Sequence, residues 1–206
     1  MESILYLFHD FKLIYIIVPG TGSNSFHGEM KKISKKWEQL KPPKDKTHPG
    51  WQLADGIGHR SHWTAAMAKT FIEPDIWNSY EKIAFVRHPF WWARSIYRKG
   101  GIKTAVGINN DEPSDRYLKE LNKTPYTWFC DKAGDRIIDT IYRTEDLSDI
   151  AKKYKFELTH NNKTNNPKKE IEKTDEVAKL LRQKFVREYN HYPGTSVFGD
   201  EYIGRK

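Results

Sequence analysis

Arg87 ends an apolar run, Ile83 to Val86, and two residues later Pro89 opens a helix-like stretch carrying Arg94, Ser95 and Arg98. That pattern describes a buried strand delivering a fixed cation to its C-terminal end, with a helix starting just beyond. Ligands of open α/β sheets bind at that edge. A helix N-terminus beside an arginine and a hydroxyl takes an anion, a phosphate above all. Val18-Pro19-Gly20-Thr21-Gly22-Ser23-Asn24-Ser25-Phe26 spells a second cradle of the same kind. Gly20 and Gly22 let backbone N–H groups turn inward, and Thr21, Ser23, Asn24 and Ser25 add side-chain donors. The loop lacks the Gly-Lys-Ser/Thr ending of a Walker A loop, and with it the usual lysine and metal-binding hydroxyl. Read alone, it is as well explained as a plain strand-to-helix turn, so its meaning comes from pairing with Arg87 and Ser95. His59, in Gly58-His59-Arg60-Ser61-His62, is the candidate proton acceptor, because a loop histidine titrates near neutral pH. Two alternatives stand beside it: a structural His59 bonded to backbone, and His62 as the base, itself also readable as an exposed residue at a helix N-terminus.

These residues need elements to hold them. Leu13 to Val18 is a continuous β-prone run ended by Pro19-Gly20, as in a central parallel strand. Phe26 to Leu40 has a helix-like spread of apolar residues and lysines, stopped by Pro42-Pro43. Ser61 is placed to cap a helix over Trp63 to Phe71. Lys82 to Arg87 is the second strand and Phe90 to Arg98 a helix. The stretch 100–116 reads as a long loop of functional kind, and 41–57 as another region shaping an acceptor site. Pro125 to Lys132 reads as helical. Arg136 to Arg143 is a third strand, with Thr144-Glu145-Asp146 opening the next helix. Thr174 to Tyr189 is an amphipathic helix whose stripe is Val177, Leu180, Leu181 and Phe185. Strands alternate with helices, so the expected fold is α/β: three layers, with a central, mainly parallel sheet flanked by helices, in one domain spanning 1–206.

Composition narrows the classes. The 206 residues carry a net charge of +8, which suits an anionic cofactor, an anionic acceptor or nucleic acid. No nucleic-acid module motif is present, which argues against the last. Seven Trp, eleven Tyr and ten Phe supply core volume and flat pocket walls. Cys130 is the single cysteine, so no disulfide or thiol zinc site forms within the chain, and the sequence offers no other metal constellation. Met1 to Val18 has no basic n-region or cleavage site and reads as structure, and no run reaches the length of a membrane span. A reducing, cytoplasmic location is the expectation.

Taken together and in order, these segments resemble the sulfotransferase superfamily, most closely the carbohydrate branch that includes the heparan sulfate 2-O-sulfotransferases. Residues 18–26 resemble the family's 5′-phosphosulfate loop, Val-Pro-Lys-Thr-Gly/Ala-x-Thr-Ser. Gly58 to His62 resembles the Gly-His segment bearing the catalytic base. Phe85-Val86-Arg87-His88-Pro89 through Ser95 and Tyr97 resembles the 3′-phosphate motif Phe-Val-Arg-Asn-Pro-x-x-x-x-x-Ser-x-Tyr. Asp139 to Leu147 resembles Asp-x-Ile-x-Arg-x-Glu-Asp-Leu, His160 to Thr164 resembles His-x-Asn-Lys-Ser/Thr, and the C-terminal Tyr189 to Tyr202, with Phe198-Gly199, resembles the closing Phe-Gly-Tyr region.

The resemblance implies a P-loop-like fold and an enzyme using 3′-phosphoadenosine 5′-phosphosulfate (PAPS). It would move the sulfuryl group in line to an acceptor hydroxyl, leave adenosine 3′,5′-bisphosphate, and need no metal. It implies His59 as base and Pro19, Gly20, Thr21, Gly22, Ser23, Asn24, Ser25, Arg87, Ser95, Arg143 and Lys163 as cofactor-binding residues. The acceptor it implies is a small molecule or a glycan, an anionic one included, with an amine as the other option. For Arg143, pairing with Glu145 or Asp146 is an equal alternative; for Lys163, Lys168 and Lys169, a solvated charge run. Trp91 and Trp92 read better as core than as pocket wall. Three positions depart from the family: its first-loop lysine, which contacts the phosphosulfate bridge, is Gly20; the Asn after the arginine is His88; a commonly basic position is Trp92. Arg60, Arg94 and Lys31 flank the motifs and are the candidates to supply the missing charge. Two competing functions are a catalytically degenerate nucleotide-binding module of the same fold and a P-loop-like phosphotransferase.

Overall fold

The computed structural model describes residues 5–41, 63–99, 114–121, 123–158 and 170–199. His59, His62, Lys163 and the loop over 100–113 lie outside them, as do 42–57, Arg60 and Ser61. Within the N-terminal run, β1 (Leu5–Phe8) and β2 (Leu13–Ile16) form an antiparallel hairpin, with Tyr6 opposite Tyr15. The polar His9-Asp10-Phe11 makes a 3₁₀ turn between them, closed by Lys12 at φ 47°. After α1 (Ser23–Ile33) the chain enters β3 (Trp37–Leu40), which pairs antiparallel with β1. The helix expected through Leu40 therefore stops seven residues early. Ser34 ends it: its hydroxyl donates to Asp10 Oδ1 at 2.5 Å, and the Lys35 amide donates to Asp10 Oδ2. This anchor, long-range in sequence, turns Trp37–Leu40 onto the sheet.

α2 (Ala65–Phe71) begins two residues later than expected and is capped by Thr64, which accepts from the Met67 amide. α3 (Pro74–Ser79) leads to β4 (Glu81–Val86), parallel to β2, and α4 (Pro89–Lys99) follows. α5 (Ser114–Glu120) occupies the end of the stretch expected to be loop, and the expected helix at Pro125 is only a 3₁₀ turn, Pro125–Trp128. β5 (Thr140–Arg143) is parallel to β4, shorter than the run from Arg136, and is followed by a 3₁₀ turn at Thr144–Asp146 and α6 (Leu147–Tyr154). α7 (Asp175–Lys184) breaks at Phe185 before α8 (Val186–Tyr189); its stripe of Val177, Leu180, Leu181 and Phe185 is buried as the spacing predicts.

The sheet order is β3-β1-β2-β4-β5. It is mixed: β2, β4 and β5 are parallel, whereas β1 joins both neighbours antiparallel, which corrects the expectation of a mainly parallel sheet. Alternate strand residues face two cores, as the two-residue period of a strand demands. Leu7, Ile14, Ile16, Ala84 and Val86 pack with α2, α4, α5 and α7; Tyr6, Tyr15, Ile83 and Phe85 pack with Phe26 and Met30 of α1 and Ile150 of α6. Covering both faces explains why Leu13–Val18 and Ile83–Val86 read as unbroken apolar runs. No helix among the described residues is long and apolar enough to cross a membrane.

Candidate functional site

Parallel β2 and β4 bring the turn 17–22 and Arg87 to the same sheet edge. Gly20 and Gly22 take φ of 80° and 69°, the left-handed region that glycine enters without steric cost. Those two residues reverse the chain between β2 and α1. The turn's carbonyls are consumed by fixed donors. Thr21 Oγ1 donates to Val18 O at 2.9 Å, Trp92 Nε1 to Pro19 O at 2.6 Å, Arg87 Nη1 to Gly20 O at 3.4 Å, and Thr144 Oγ1 to Thr21 O at 2.9 Å. The N–H groups of Gly20 and Gly22 have no acceptor among the described residues. Gly22 is the N-cap of α1 and offers no side-chain cap; the Ser25 amide closes back onto Gly22 O at 3.1 Å, and no side chain caps the helix start. Carbonyls taken up by donors, beside Gly20 and Gly22 amides with no acceptor among the described residues, are an arrangement that suits an anion, and a helix dipole adds to it.

Arg87 completes it. The long contact to Gly20 O is the one hydrogen bond its guanidinium makes among the described residues, leaving most of its five N–H donors unused. Burial lowers its pKa, and the charges of Glu145 and Tyr192 oppose that shift; an arginine remains charged regardless. The backbone around it is clamped. The His88 amide donates to Glu145 Oε1 at 3.1 Å, and Thr144 Oγ1 also reaches Val86 O at 3.1 Å. Tyr192 OH donates to Glu145 Oε2 at 2.6 Å, with a weaker contact to Val86 O. His88, fully buried, donates from Nε2 to Ser196 O and packs its ring against Tyr192. The C-terminal segment 186–199 thereby closes over the end of β4.

Of the residues expected to act together, Arg87 bonds directly to Gly20, which shares its turn with Pro19, Thr21 and Gly22. Asn24 and Ser25 sit in the first turn of α1, and Ser23 begins it. Ser95 lies in α4, half-buried, with no hydrogen-bond partner among the described residues. Arg143 makes a two-pronged pair with Asp146, at 2.5 and 2.7 Å, and stacks on Tyr192. Of the proposed substitutes for the family lysine, Arg94 pairs with Glu170, which Arg98 also engages, and Lys31 lies over the Tyr6 and Trp37 rings. Lys31 is in the last turn of α1, about 12 Å along the axis from its N-terminus. Trp92 is fully buried, as its core reading predicts, yet its indole also fixes the turn.

Thr144, Glu145 and Tyr192 were not expected at the site. Thr144 and Glu145 carried a signal as a helix start and within the Asp139–Leu147 motif, and Tyr192 within the C-terminal resemblance, but none of these signals gave them a role at Arg87. Two surface clefts are lined by other residues: one by Thr64, Tyr126, Cys130, Arg187 and Glu188, the other by α7 and Ser196–Phe198. Comparison with family models, curated proteins and solved structures finds no match to this chain.

Proposed function

We propose that this chain is a sulfotransferase that moves the sulfuryl group of PAPS to a hydroxyl of an acceptor, a carbohydrate in the first instance, on a P-loop-like three-layer fold. The observation that carries the reading is Arg87: a largely buried guanidinium with nearly all its donors unspent among the described residues, beside a turn whose carbonyls are taken and whose Gly20 and Gly22 amides have no acceptor among those residues. Such a pair suits a ligand with two separate anionic groups. In this reading Arg87 and Ser95 hold the 3′-phosphate, and the 19–25 turn holds the 5′-phosphosulfate, whose sulfuryl group is the one transferred. His59 takes the acceptor proton.

A second reading, a nucleotide-binding module without transfer activity, draws support from Gly20. A Cβ there would stand 3.0 Å from Ile96 Cδ1 on a backbone at φ 80°, so no basic side chain fits easily where the family has lysine. Arg94, one of the candidate substitutes, is already engaged by Glu170.

One set of measurements separates these readings. Calorimetry with adenosine 3′,5′-bisphosphate should show binding that Arg87→Ala weakens about tenfold or more, the scale of a hydrogen bond to a charged group. Unchanged affinity in Arg87→Ala would sink both readings. Transfer of labelled sulfate from PAPS to an acceptor panel, lost in His59→Ala and retained in His62→Ala, supports the enzyme. Binding without transfer to any acceptor supports the module.

A further inference from the structure

Glu145 is placed oddly for a carboxylate next to a buried arginine. Its charge acts on Arg87, yet the two side chains form no ion pair. The reason is visible in its bonds: Oε1 takes the His88 amide at 3.1 Å and Oε2 takes the Tyr192 hydroxyl at 2.6 Å. Both oxygens are thus aimed at neutral donors. A carboxylate free to turn would choose the guanidinium, since a bond between two opposite charges adds Coulombic attraction that a neutral donor lacks. It would then occupy the donors that an incoming anion needs. Tyr192 is itself fixed, because its ring packs on His88 at 5.2 Å and lies against the Arg143 guanidinium at 5.7 Å.

We propose that Tyr192 and Glu145 are positioning residues for Arg87: the Tyr192 hydroxyl and the His88 amide hold both oxygens of the Glu145 carboxylate, so that its charge compensates the buried guanidinium without covering it. The C-terminal segment, through one hydroxyl, keeps the anion site open. This inference rests on reading Arg87 as the ligand for a 3′-phosphate.

The test compares two probes, adenosine 3′,5′-bisphosphate and adenosine 5′-monophosphate, by calorimetry; the ratio of their affinities isolates the 3′-phosphate. Tyr192→Phe keeps the ring and its packing and removes only the hydroxyl. Its ratio should fall about tenfold below the wild type, as the released carboxylate turns onto Arg87. Glu145→Gln can still accept from the His88 amide and has no charge with which to compete. The double variant Tyr192→Phe/Glu145→Gln should therefore recover the wild-type ratio to within about threefold. A merely structural hydroxyl predicts the opposite: weaker binding of both nucleotides alike, with no rescue by Glu145→Gln. A wild-type ratio retained in Tyr192→Phe, or a loss that the double variant does not reverse, overturns the inference while leaving the proposed function standing. A wild-type protein that does not distinguish the two probes overturns both.

Discussion

At Gly20 two constraints meet. The backbone sits at φ 80°, and the space a Cβ would fill is bounded by Ile96 Cδ1 at 3.0 Å and the Trp92 ring at 3.4 Å. A non-glycine residue in that conformation costs about 1–3 kcal/mol before any displacement of Ile96. Gly20→Ala should therefore lower the unfolding free energy by an amount in that range, read as a lower urea midpoint with the slope of the transition unchanged. An unchanged midpoint would mean that the turn relaxes, and that the absence of the family lysine is not imposed by shape. The residues bonded to this turn divide by how far their signals reach. Arg87 was legible because an apolar run ending in a cation before a proline is a local pattern. Thr144, Glu145, Tyr192 and Trp92 were not, because each acts through a bond to a residue 47 or more positions away. Local periodicity encodes no such pairing. Ser95 and Arg143 were singled out by spacing, but spacing did not decide between Asp146 and a ligand for Arg143.

At the scale of elements, the strands buried on both faces and the α7 stripe were readable, since both follow from burial period alone. β1 and β3 were hidden: β1 shares its apolar run with β2 until a 3₁₀ turn splits them, and β3 exists because Ser34 and Lys35 bind Asp10. α8 is another element held by its partners. Its Glu188, almost fully buried, accepts the Tyr126 amide at 3.0 Å and so ties the helix to the 3₁₀ turn at 125–128. Burial raises the Glu188 pKa above its ordinary 4.5, against the opposing hydrogen bonds and the Arg187 charge. Folding thus favours the protonated form. The associated stability is fully present below 4.5 and is lost as pH rises through the folded-state value. Glu188→Gln keeps a carbonyl for Tyr126 and does not ionise. From pH 4.5 toward neutrality the wild type should lose ground to this variant in urea midpoint. Parallel curves for the two proteins would remove Glu188 as a source of pH dependence.

Across the whole molecule, the net charge of +8 and the Arg87 guanidinium at the sheet edge attract anions by different physics. Exposed lysines act through water and are screened beyond about 8 Å at physiological salt. Arg87 is largely buried beside the turn, where on the proposed function its donors would contact the ligand directly and salt would intervene little. Nucleotide affinity should therefore contain two separable parts. Raising salt should weaken adenosine 3′,5′-bisphosphate binding in the wild type and in Arg87→Ala by the same factor, because both keep the surface charge. The ratio between the two proteins should stay near its low-salt value. Calorimetric titrations of both at low and high salt measure this directly. A ratio that collapses toward one as salt rises would make Arg87 one more member of a diffuse positive field. A constant ratio would mark it as a contact built into the fold by β4, the 19–22 turn and the segment that closes over them.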